Sequence, residues 1–178
     1  APETIVHNID VMTIGGYDLT GFAGVGGSDS GVGLKLDSTT FGIAVMKASG
    51  FADLELPDQV KAYMPTYIAA KATVESAELI GMDPILNAKV GNVEVNINTS
   101  VIEKLPKQVA AASLFIPMPY VDFTNIVNTN SATGHWGEEG LIVDTGSDDN
   151  PVYLDFGEEI IQAKVEYFQG DIAGVMQA

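Results

Sequence analysis

The sequence predicts an all-β fold, and three features carry that expectation. Short apolar runs rich in β-branched residues recur along the chain, several of them alternate apolar and polar residues at period two, and 19 glycines punctuate the runs with turn chemistry. The expected arrangement is an antiparallel or mixed β-sheet, built as a sandwich or as stacked sheets with one or two short helices; a β-solenoid is the alternative. The chain of 178 residues is long enough to bury a real core as a single module over residues 1–178.

The elements follow in chain order. Residues 4–13 and 17–25 read as two strands separated by Gly15-Gly16, and the glycine, serine and aspartate stretch at 24–33 turns the chain into a strand at 33–37. Phe41-Gly42-Ile43-Ala44-Val45-Met46 is apolar on both faces, as in a central strand covered on both sides or a short buried helix, and its β-branched and aromatic content favours the strand. Residues 57–64, closed by Pro65, form one candidate helix. At 68–74, Ile68, Ala70, Ala72 and Val74 oppose Ala69, Lys71 and Thr73. Val93-Glu94-Val95-Asn96-Ile97-Asn98 is the cleanest alternation, and it predicts Val93, Val95 and Ile97 inside with Glu94, Asn96 and Asn98 in water. Ser100-Val101-Ile102-Glu103 has the Ser-x-x-Glu form of a capping box and marks the second candidate helix, limited by Pro106; residues 109–115 read as strand or helix. Strands at 141–144 and 152–156 flank a turn at 146–150, and Ile161, Ala163, Val165 and Tyr167 form one face of a strand near the C-terminus.

Charge narrows the partners. Against 24 Asp plus Glu stand 8 lysines and no arginine, for a net charge of −16 and a pI near 4.1. Phosphate neutralisation needs cations, and bidentate base contacts favour arginine, so nucleic acid is excluded as a partner. Anionic lipid surfaces are repelled, whereas solubility in salt water and attraction of divalent cations suit the charge. No apolar run approaches the roughly 20 residues of a membrane-spanning helix. The chain lacks cysteine, which removes disulfides, thiol catalysis and Cys-ligated zinc. Ala1-Pro2-Glu3 fits either the residue left by secretory cleavage or the cut end of a longer chain.

Candidate sites are few. His7 and His135 each stand alone, which argues against zinc. Gly134-His135-Trp136-Gly137-Glu138-Glu139 holds the one Trp; Trp136 would offer a sugar-stacking platform and His135 a general base, or the loop simply packs its Trp on a sheet edge. Asp144, Asp148, Asp149, Asn150 and Asp155 crowd oxygen ligands around one turn, a setting for calcium or for a solvated acidic turn. Asn98-Thr99-Ser100 fits the N-glycosylation pattern. Ile172, Val175 and Met176 place apolar side chains in the last seven residues, which points to subunit contact there or to a strand that completes its own sheet. No phosphate-binding loop, dinucleotide fingerprint or nucleophile elbow is present.

Several phrases, in order, resemble the repeat unit of giant secreted or surface-anchored bacterial adhesin-like proteins. They are Gly21-Phe22-Ala23-Gly24-Val25, Gly31-Val32-Gly33-Leu34-Lys35-Leu36, Phe41-Gly42-Ile43-Ala44-Val45-Met46-Lys47, Ala77-Glu78-Leu79-Ile80-Gly81-Met82-Asp83, and the strands at 93–98, 152–156 and 160–165. The resemblance spans residues 17–175 and brings no catalytic residues with it. Gly170-Asp171-Ile172-Ala173-Gly174-Val175 is similar to the stretch 18–25, as expected where one unit of a tandem array leads into the next. The implied function is that of a non-catalytic extracellular structural protein, a module of a surface adhesin, matrix fibre or filament. It would be secreted or cell-surface, with itself or neighbouring units as partner. The alternative is a module that binds a carbohydrate, or calcium as its cofactor.

Overall fold

The computed structural model describes residues 9–27, 31–48, 64–82, 86–102, 119–124, 136–137 and 140–172. They form eight strands: β1 (Ile9–Val25), β2 (Val32–Ala48), β3 (Thr66–Ile80), β4 (Leu86–Val101), β5 (Trp136–Gly137), β6 (Gly140–Val143), β7 (Val152–Leu154) and β8 (Ile160–Ile172). Five long strands make an antiparallel sheet in the order β1-β2-β3-β4-β8, and β5-β6-β7 make a second, small antiparallel sheet. The fold is therefore all-β, with consecutive hairpins in place of the rungs of a solenoid. Among the described residues no helix occurs, and none is long and apolar enough to cross a membrane. The candidate helix at 57–64 lies outside the described residues except for Met64. The capping box does not open a helix: Ser100 and Val101, its would-be first helical residue, both sit inside β4, paired with Tyr67 and Thr66, and residues 103–106 lie outside the described residues.

Two expected breaks are continuous strand instead. Gly15 and Gly16 lie within β1, opposite Gly42 and Phe41, and the chain bends at register shifts between Gly16 and Gly21 rather than turning back. The runs at 33–37 and 41–46 likewise join through Ser38. Asp18, Ser38 and Asn92 adopt positive φ of 50°, 49° and 50°. Ser38 and Asn92 fall on one line across the sheet, where the pairing skips a residue. The hairpin between β1 and β2 does close through glycines, with Gly31 N–H donating to Gly27 O at 2.9 Å.

The small sheet packs on one face of the large one, over β1, β2 and β3. Leu141, Val143 and Leu154 are fully buried there, with Val152, against Ala44, Met46 and Ala69, and Phe123 closes the side. Burying each of these larger side chains contributes about 1.5–3 kcal/mol. The large sheet meets them with small residues because the two layers come very close. A Cβ on Gly42 would lie 2.8 Å from Val152 Cβ, and one on Gly15 would strike the Asp144 carbonyl. Phe156 meets Phe123 edge-on at 6.5 Å between ring centroids.

The facing of β4 is the reverse of the expectation. Asn98 is 0% exposed, and Asn96 and Ser100 are also buried, while Val93, Val95 and Ile97 lie half-buried on the opposite face. The cause is a bracket: Asn98 Nδ2 donates to Val121 O at 2.9 Å and to Glu158 O at 2.8 Å, tying two connecting segments to the sheet. An apolar residue there would leave those carbonyls without their partner. The same burial excludes a glycan on Asn98 in the folded chain.

Candidate functional site

Direct pairing across the ladders places residues on a common face, so the open face can be read row by row. One row runs Ile14, Ile43, Ala70, Ile97, Ile161 across all five strands, and the next runs Gly16, Phe41, Ala72, Val95, Ala163. At the centre these side chains are half-buried; at the rims Ile14 is 51% and Ile161 is 74% exposed. Strand β8 is distinct, because every residue from 161 to 170 is exposed, on both faces. Phe168, at 71%, projects from one face while Val165 and Tyr167 project from the other. Tyr167 leans across Gly91 of β4, whose missing side chain leaves the ring its place.

Charges on β8 are arranged in a short string. Lys164 Nζ lies 3.7 Å from Glu94 Oε1, and Glu166 accepts a hydrogen bond from Asn92 Nδ2. Both contacts are at the surface, where such pairs contribute at most about 1 kcal/mol.

The acidic turn satisfies itself. Gly146 N–H donates to Asp144 Oδ1 at 2.7 Å, Thr145 Oγ1 donates to Asn150 O at 2.7 Å, and Asn150 Nδ2 donates to Ser147 Oγ at 3.0 Å. Asp148 and Asp149 are exposed at its tip. Asp155 turns elsewhere, taking Lys71 Nζ at 2.8 Å, and that ammonium also sits 5.5 Å from the Phe156 ring centroid. Among the described residues no group of three or more His, Cys, Asp or Glu side chains converges as a metal site. Beside the Lys71–Asp155 pair runs a groove of about 550 Å³, lined also by Thr40, Thr73, Pro151 and Tyr153.

Of the other residues singled out in the sequence, Trp136 opens β5 with its backbone paired to Leu141, and His135 lies outside the described residues. Ile172 ends β8, its backbone paired with Leu86; Val175 and Met176 lie outside the described residues. Sequence reasoning passed over Lys164 and Glu166, whose signal was a lysine and a glutamate two apart on a strand otherwise rich in apolar residues. The Asn98 bracket was also missed; its signal was a polar residue at every second position from 94 to 100, with Asn98 set between the apolar Ala69 and Ile160 of the neighbouring strands.

Fold and site together define an all-β, two-sheet protein with a long outer strand exposed on both faces. Set against protein-family models, curated proteins and solved structures, the chain matches none.

Proposed function

We propose that the chain is a non-catalytic structural module that associates with further copies or units through an exposed edge of its large sheet, as in a secreted surface adhesin, matrix fibre or filament. The observation that carries the reading is β8: an outer strand of 13 residues with side chains exposed on both faces. A row of backbone donors and acceptors beside apolar side chains is a template for another strand, and proteins that stay monomeric protect such edges. The apolar rows of the open face add contact area next to that edge. The resemblance to adhesin-type repeats and the charge of −16, which suits a saline exterior, support the extracellular setting.

Sedimentation velocity of the purified chain from about 1 to 100 μM, with electron microscopy of the same samples, tests this. The expected result is mass that grows with concentration. A monomer throughout that range, with no assemblies on the grid, overturns it.

A further inference from the structure

We propose that β8 pairs antiparallel with β8 of a second copy about a two-fold axis through Val165, so that Lys164 of each copy faces Glu166 of the partner subunit. This rests on the self-association reading and narrows it to an edge, a direction and a register.

The two outer strands are not equivalent. β1 carries register shifts between Gly16 and Gly21 and a positive φ at Asp18, irregularities that bend an edge away from pairing. It also lies beneath the small sheet, with Gly15 against the Asp144 carbonyl. β8 holds one register on β4 from Ile160 to Ile172, contains no proline, and lies on the far side of the sheet from the strands that carry the small sheet.

Direction follows from strand count. Five alternating strands leave β1 and β8 running the same way, so a head-to-tail repeat of the sheet joins them in parallel. A two-fold axis normal to the sheet joins β8 to β8 antiparallel instead, the slightly stronger ladder, and keeps each face continuous.

Charge selects the register. Opposed residues must share a face, so the axis passes through a residue of β8 rather than between two. Centred on Lys164 or on Glu166, it sets like charges against each other. Centred on Ala163 or Tyr167, it sets both against uncharged residues. Centred on Val165, it forms two Lys–Glu pairs on one face and stacks Val165 on its own symmetry mate, with Ala163 opposite Tyr167, on the other. β1 offers no such match: it has Asp10 and Asp18 and no lysine, and Asp10, paired with Lys47, lies on the opposite face from Lys164.

The test uses Lys164→Glu and Glu166→Lys, each confirmed folded by circular dichroism. Alone, each variant brings only like charges together at the axis, and the expected dimer dissociation constant rises about tenfold or more. Mixed in equal amounts, the two are complementary and dimerise within about threefold of wild type. Effects inside a subunit, such as loss of the Lys164–Glu94 contact, are unchanged by mixing. Because the chain has no cysteine, Val165→Cys adds a second readout: mild oxidation is expected to give a covalent dimer. Ala163→Cys, whose symmetry mate would lie about 14 Å away at the strand rise, stays unlinked. Variants that assemble as the wild type does, or a mixture that fails to recover, overturn this edge and register while self-association stands. A wild type that stays monomeric overturns both.

Discussion

Replacing Asn98 probes most directly the join between the large sheet and the two segments that cross it. Asn98→Ala removes two hydrogen bonds, to Val121 O and Glu158 O, each worth about 1 kcal/mol net, and opens a small void. One gain offsets this: Asn98 Oδ1 is buried without a hydrogen-bond partner, and the truncation removes that desolvated oxygen. The balance is a loss of about 2 kcal/mol, or a fall of about 4–8 °C in Tm for a chain of this size. Asn98→Asp keeps the volume but points an oxygen at two carbonyl oxygens and buries a charge, so at pH 7 it costs more, about 3–5 kcal/mol. Burial raises the pKa of that carboxyl in the folded state above its unfolded value of about 3.9. The stability of this variant is then fullest below about pH 3.9 and is lost as pH rises through the raised folded value, so its deficit against wild type shrinks on acidification. Urea unfolding at pH 7 and pH 4, with m-values checked for constancy, measures both effects. An alanine variant within about 0.5 kcal/mol of wild type, or an aspartate variant no worse than alanine at pH 7, refutes the bracket.

Two further outcomes concern the core between the two sheets. Gly42→Ala puts a Cβ 2.8 Å from Val152 and is expected to destabilise by about 1–3 kcal/mol by overpacking, although alanine is otherwise no worse than glycine in a strand; urea unfolding that shows no loss removes the close approach. Burial raises the Tyr67 hydroxyl above its ordinary value of 10.0, so folding stability is full below pH 10 and declines as pH rises toward the folded value; in Tyr67→Phe the decline measured by unfolding titrations is smaller, and an unchanged pH profile contradicts the burial.

The strand content was legible because alternation and glycine punctuation are local signals. Residues 93–98, 141–144 and 152–156 each contain or overlap a strand whose period is written in its side chains. Strand ends were less legible. Gly15-Gly16 has the composition of a turn, yet a glycine pair also suits a strand pressed against another layer, and the distinction depends on Asp144 more than a hundred residues away. Ser100 has a capping-box partner three residues on, but the ladder to Tyr67 outweighs that short-range preference. The acidic turn looked like a ligand cluster by composition; its geometry spends Asp144, Thr145 and Asn150 on the turn itself.

What residue order settles here is the class of structure, the exclusion of disulfides, and the alternation of each strand, since all follow from composition or from chemistry within a few residues. Which face of β4 turns inward is different in kind. Period two divides Val93, Val95 and Ile97 from Asn96, Asn98 and Ser100 but does not say which set is covered. That choice falls to the segments packing on the sheet, through the carbonyls of Val121 and Glu158 that accept from Asn98. The two outer strands are likewise ranked only by the finished sheet, because a bulge in β1 and an uncovered β8 are properties of pairing and not of composition.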